Sequence, residues 1–477
     1  MKKRILAMIM ASMLVISNTL ICSAETKTAV GLENNQPDGT SDAEAFVNGI
    51  KGYDSGYTTE YKNPSKVTAS DFWSKNHTIK YWSSHGYNTG VVKGASNKVE
   101  IDIFSQPFSW AGGELEFVFL AACRQLDGSN KNPRSRYANA MIGNKAVRVI
   151  CGYHESAPAS IDKQVADKFI EYAKTGESVK SSWILANKYF SDRGYSTNVY
   201  CVLTHSGNVQ YSRFPGFPGS TYTRPGSSST KILRFSSANP NGTEQTYGLR
   251  ESAELVDIEI PTYVLRATPI QLNVTDNMNM TVLRDENNLM MVGAEIGDQQ
   301  VNITEAEAAE RCKEQLNNAI TNYSEINMDT AMESVTPIVM AEVNLDGGNE
   351  QEVTVAYDIS FKNTYDGLEI IGDYMTGIID DSSTVYLAGN WNEMEKVDMM
   401  QRSAIVDYNT AYNQVIQNVA SFADVTRSSD SDVVSNTKLA FVLNESTGYY
   451  EPTWVFSMED ASVYGVNCIS GKMEIMN

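Results

Sequence analysis

Between about residues 40 and 210 the chain alternates strand-like with helix-like runs, and that alternation restricts the fold more than any other feature of the sequence. "HTIKYWSS", "ELEFVFLAA", "KAVRVICGY" and "STNVYCVLT" are rich in β-branched and aromatic residues and nearly continuous in apolar character. Strands covered on both faces by crossover helices read this way, so the runs predict a buried parallel sheet. Between the third and fourth runs, Val165, Phe169 and Ala173 and then Trp183, Ile184, Ala186 and Tyr189 recur at helical spacing. Strand, helix, strand in order requires crossover connections, hence an α/β sandwich with a mostly parallel sheet over residues 25–213.

The texture then changes. Residues 214–250 are crowded with Pro, Gly and Ser and read as a linker or an ordered loop edge. Beyond them, "ITEAEAAERCKEQLNNAI" opens with Thr304 and carries Glu307 three residues on, the capping-box arrangement that starts a helix. Four alternating strand runs follow it. A second helix, in "RSAIVDYNTAYNQVIQNVASF", precedes further strands in "TKLAFVLNE", "YEPTWVFSM" and "VNCISGKMEI". Helix then meander, twice, predicts two α+β units, over 251–400 and 401–477.

Charge separates the same two halves. Residues 25–250 hold 25 Lys plus Arg against 20 Asp plus Glu, whereas 251–477 hold 10 against 38. A segment so acidic argues against a nucleic-acid partner, since phosphate binding depends on clustered cations. It also predicts intramolecular contact between the halves, because complementary charge steers association.

The first 24 residues combine Lys2, Lys3 and Arg4 with an apolar run and end in Cys22-Ser23-Ala24, the features of a cleaved secretory signal. The expectation is an extracellular protein beginning near Glu25. No later run approaches the roughly 20 continuous apolar residues of a spanning helix. The five remaining cysteines, Cys123, Cys151, Cys201, Cys312 and Cys468, are too sparse for a disulfide scaffold and none stands at zinc-ligand spacing. No cofactor is expected. "NLDGGNEQE" and "IIDDSS" are acidic turns conceivable for calcium, but neither follows the twelve-residue calcium-loop spacing, and solvated turns are the simpler reading.

Two residues carry the chemistry. His85 and Cys123 each stand just past an apolar run, and ligands of open parallel sheets bind outside the carboxyl ends of the strands. An imidazole beside a thiol raises the thiolate fraction and can later protonate a leaving amine. Gly86, without a side chain, lets its backbone N–H approach an oxyanion closely. Taken singly, a Cys after a strand is ordinarily a small buried hydrophobe and a His a hydrogen-bonded structural residue. Placement of both on strand ends favours the chemical reading. His154 and His205 also follow apolar runs and are alternative bases or pocket residues. Cys151 and Cys201 lie inside such runs and are expected in the core.

A strand ending in His-Gly followed by one ending in Ala-Cys, here "KYWSSHG" and "FVFLAACRQ", resembles the clan CD cysteine peptidases: caspases, legumains, gingipains, clostripain, separases and the bacterial CHAT proteins. The resemblance covers roughly residues 75–205. It implies a caspase-like α/β/α fold, His85 as general base and acid, Cys123 as nucleophile, and the backbone N–H groups of Gly86 and Cys123 as the oxyanion hole. Ala121 stands where several branches carry a polar substrate-pocket residue, so selectivity is not legible there. The acidic half resembles the PepSY and FTP-like propeptide domains of secreted metalloproteases. Together these imply a secreted cysteine endopeptidase acting on peptide or protein, with an acidic region that regulates or targets it. The alternatives are a catalytically inactive peptide-binding domain of the same fold, and a PepSY-type binding or chaperone module for a separate secreted enzyme.

Overall fold

The computed structural model describes residues 27–34, 41–94, 99–143, 147–158, 161–195, 197–206, 212–220, 231–238, 258–275, 280–285, 288–381, 383–398, 405–422, 434–458 and 463–476. The expected signal segment lies outside the described residues.

Strand β1 (Thr28–Glu33) leads into helix α1 (Asp42–Tyr53), and β2 (Thr58–Lys62) and the short α2 (Ala69–Trp73) follow. Next come β3 (Ile79–Ser83) and three short strands, β4 (His85–Gly86), β5 (Val91–Lys93) and β6 (Glu100–Asp102), which form a small antiparallel sheet. Strand β7 (Phe117–Ala121), helix α3 (Pro133–Met141) and β8 (Val149–Tyr153) precede two consecutive helices, α4 (Asp162–Thr175) and α5 (Val179–Ser191), before β9 (Tyr200–His205). Strands β2, β1, β3, β7 and β8 pair in that order, all parallel.

Strand β9 runs antiparallel to β8, against the expectation of a fourth parallel strand. Two helices in succession are the cause. One crossover helix returns the chain to the end of the sheet where the last strand began, but a pair delivers it to the opposite end.

The stretch read as a linker contains β10 (Ile232–Ser237), which pairs antiparallel with β9 on one side and with β14 (Met332–Glu342) on the other. Between them in sequence lie β11 (Tyr263–Pro269), the hairpin of β12 (Thr281–Asp285) and β13 (Asn288–Val292), and helix α6 (Glu305–Ala319). Thr304 caps α6, accepting from the Glu307 N–H at 3.2 Å while the Glu307 carboxylate accepts from the Thr304 N–H at 2.8 Å. The meander β14, β15 (Glu352–Tyr365), β16 (Leu368–Ile379) and β17 (Thr384–Asn390) continues the sheet to β13 and β12. Strand β18 (Asn392–Asp398) pairs with β11. Helix α7 (Tyr408–Phe422) and β19 (Val434–Asn444), β20 (Tyr449–Met458), β21 (Val463–Asn467) and β22 (Met473–Ile475) form the second helix-and-meander unit, joined through Ile370 and Phe441. The fold is α/β on a large mixed sheet of 19 strands, mostly antiparallel. The parallel order expected for the first half holds only in its five leading strands.

Side-chain alternation along the parallel strands fills two layers. Tyr81, Phe119 and Cys151 pack on one face with Phe46 of α1, Phe169 of α4 and Trp183 of α5, and this core runs on into Met290, Tyr374 and Tyr386 of the acidic half. Trp82, Val118, Leu120 and Ile150 pack on the other face with Phe72 of α2 and Tyr137 of α3. No described helix is long and apolar enough to cross a membrane.

Candidate active site

The registers of β3 and β7 bring the two candidate residues to one edge. Ser83 pairs with Ala121 at the carboxyl end of these adjacent parallel strands. His85 and Cys123 each follow by two residues. A hydrogen-bond chain ties the turn after β3 to its neighbours: the Ser84 N–H donates to the Ala121 carbonyl at 3.2 Å, the Trp82 Nε1–H donates to Ser84 Oγ at 2.8 Å, and Ser84 Oγ donates to the His85 carbonyl at 3.0 Å. The backbone of His85 is fixed while its side chain stands exposed.

Gly86 is required by contact. A Cβ there would lie 2.1 Å from the Cys123 carbonyl oxygen and 2.9 Å from the Cys123 nitrogen, so only glycine lets the two backbones meet. The two N–H groups assigned to an oxyanion hole therefore belong to touching segments.

Cys123 is half-buried, and its Sγ accepts from the Ala157 N–H at 3.3 Å. The loop after β8 grips this turn further, for the Arg124 N–H donates to the Glu155 carbonyl at 2.8 Å and the Leu126 N–H to the Tyr153 carbonyl at 2.9 Å. Arg124 takes φ 57°, the left-handed region, which costs a non-glycine residue about 1 to 2 kcal/mol. Backbone strain of this kind collects at functional turns. Burial raises the Glu155 carboxyl above its ordinary value, opposed by the neighbouring Arg124 cation.

The other histidines are placed differently. Burial, and then the charges of Arg234, Arg134 and Arg124, push His154 down to about 3, too weak a base for proton abstraction at neutral pH. His205 is buried within β9, opposite Ile232. Cys151, Cys201, Cys312 and Cys468 are buried free thiols, and burial raises the first two above the ordinary thiol value. Cys123 is the one thiol with solvent access among the described residues.

Sequence reading missed the residue that joins the two turns. Gln125, fully buried, directs Nε2 to the carbonyls of Tyr87 at 3.2 Å, Val91 at 3.2 Å and Cys123 at 3.3 Å, while its Oε1 accepts from the Tyr137 hydroxyl at 2.9 Å. Only its place two residues after the cysteine could have drawn attention to it. Also unforeseen is a carboxyl pair at the end of β1, where Glu33 stands across from Ser83. Burial, reinforced by Asp42, pushes Glu33 up to about 10, and burial raises Asp42 as well, so the pair holds a proton at neutral pH.

The carboxylates of the acidic turn at 378–383 have backbone donors. Asp381 accepts from the N–H groups of Asn302 and Ile303 at 2.8 and 3.1 Å, and Asp380 from the Ser383 N–H at 2.6 Å. Among the described residues no three His, Cys, Asp or Glu side chains converge as metal ligands.

Residues 23–224 match the family DUF6345, described as a domain of unknown function. The matched span contains His85, Cys123 and Gln125 and stops short of β10. No curated protein matches the chain.

Proposed function

We propose that this protein is an exported cysteine endopeptidase of caspase-like, clan CD type, with Cys123 as nucleophile and His85 as general base and acid. The observation that carries the reading is the register of β3 on β7, in which Ser83 pairs with Ala121 and each candidate residue follows two residues beyond. Five parallel strands in the order β2, β1, β3, β7, β8, with helices packed on both faces, support the caspase-like comparison.

The chemistry follows from the placement. His85 takes the Cys123 proton, and the thiolate attacks the substrate carbonyl carbon. The oxyanion that forms is held by the N–H groups of Gly86 and Cys123. His85 then gives its proton to the leaving amine as the C–N bond breaks, leaving a thioester on Cys123. Water, deprotonated by His85, attacks that thioester and releases the acid. Tyr87 and Arg124, both exposed and next to Gly86 and Cys123 in the chain, are the candidates to meet the substrate chain. The acidic half is read as a PepSY/FTP-like regulatory or targeting region, on the strength of its repeated helix-and-meander plan.

Labelling of the native protein by iodoacetamide should fall on Cys123 alone, and Cys123→Ala should abolish peptide hydrolysis with an unchanged melting temperature. Cys151→Ala should keep activity but lose about 1 to 3 kcal/mol through the cavity it leaves. Hydrolysis persisting in folded Cys123→Ala would remove Cys123 as the nucleophile, and a wild type that binds peptide without cleaving it would favour the peptide-binding role.

A further inference from the structure

Gln125 does more than fill space. Its carboxamide is bonded to both segments of the candidate pair: to Tyr87 and Val91, which flank the turn after His85-Gly86, and to Cys123 itself. The partners fix its orientation, because three carbonyl oxygens can only accept and so must face the nitrogen, leaving the oxygen for the Tyr137 hydroxyl. Tyr137 is buried on α3, the first helix after the cysteine turn. Gly86 completes the joint, since a Cβ on it would stand 2.9 Å from Gln125 Nε2.

We propose that Gln125 is a positioning residue for the His85–Cys123 pair, clamping the histidine loop onto the cysteine turn, with Tyr137 holding the clamp in its working orientation. The inference rests on the peptidase reading above. A buried amide whose two N–H protons are shared among three carbonyls from two segments sets their separation, and a loss of alignment at a reacting pair reduces rate far more than stability.

The test is the pH profile of Cys123 alkylation by iodoacetamide in the full chain, with wild type, His85→Ala, Gln125→Met and Tyr137→Phe assayed below their melting temperatures. Gln125→Met keeps length and bulk while removing all four hydrogen bonds. The expected result is that wild type reacts well below the ordinary thiol range near 8.5, and that Gln125→Met shifts the inflection toward His85→Ala, with alkylation about tenfold or more slower at pH 6. Tyr137→Phe, which leaves the amide in place but frees its oxygen, should shift the profile the same way by less, and serves where Gln125→Met does not fold. A merely structural role would lower melting temperatures and leave both profiles on the wild-type curve, and that outcome overturns the inference alone. If wild type and His85→Ala already coincide, the paired reading fails and takes this inference with it.

Discussion

At the residue scale, the candidate site is defined by what cannot be changed. Gly86 touches the Cys123 backbone so closely that one methyl group must displace one of the two turns. Overpacking against backbone costs about 1 to 3 kcal/mol, because no side chain can swing aside to absorb it. Gly86→Ala should therefore lower the melting temperature and reduce hydrolysis more than tenfold through the displaced N–H group. Comparing it with Gly112→Ala separates site from scaffold: Gly112 has positive φ, but a Cβ there meets open space. A folded, fully active Gly86→Ala enzyme would show that the contact is incidental.

At the element scale, buried carboxylates tie neighbouring strands. Asp373 of β16 accepts from the Asn392 N–H at 2.9 Å, from Asn392 Nδ2 at 2.5 Å and from Asn363 Nδ2 at 3.2 Å, joining β16 to β18 and β15. Burial outweighs these bonds and raises its carboxyl from 3.8 to about 7. The folded chain thus keeps a proton that the unfolded chain releases between those values. Stability from this group is full below the lower value, falls as pH rises through the window and levels above the upper one. Asp373→Asn, neutral throughout, should shrink the loss of unfolding free energy between pH 4 and pH 8 by up to about 4 kcal/mol, read by urea denaturation at each pH. Parallel curves for variant and wild type would place the proton elsewhere.

On the scale of the whole molecule, the basic and acidic halves share one sheet, one core and a set of buried ion pairs. Lys188 of α5 lies 3.1 Å from Asp192, contacts Asp358 of β15 and donates to Thr376 Oγ1 of β16 at 2.6 Å. Burial opposes its charge, but Asp192 and Asp358 outweigh it and raise the ammonium above its ordinary value. Arg234 of β10 reaches Glu350 at 3.0 Å and Glu352 at 2.5 Å, and Glu350 also meets Arg134 at 3.1 Å. Removing the shared cation strands the carboxylates of Asp192 and Asp358 in the interior, so Lys188→Met should cost about 3 to 5 kcal/mol. The loss should appear in both halves as a single melting transition. Hydrogen exchange that opens β16 while β7 stays protected would mean the halves unfold separately.

How much was legible depended on whether a signal was local. The runs around β3, β7 and β8, the helical spacing in α4 and α5 and the Thr304–Glu307 cap could be read directly, because apolar periodicity and capping act within a few residues. His85, Gly86 and Cys123 were visible for the same reason: each follows a strand in the sequence itself. The sequence by itself determined the α/β character of the first half, the twice-repeated helix and meander of the second, and the charge contrast between them. Which strands neighbour which, and in which direction, is a property of the folded sheet. Tertiary structure alone decided that β9 turns back, that β10 inside the Pro/Gly/Ser-rich stretch joins the halves, and that Gln125 bridges both turns of the site. A single buried amide has no periodicity, and its role exists only once segments distant in the chain supply the carbonyls it binds.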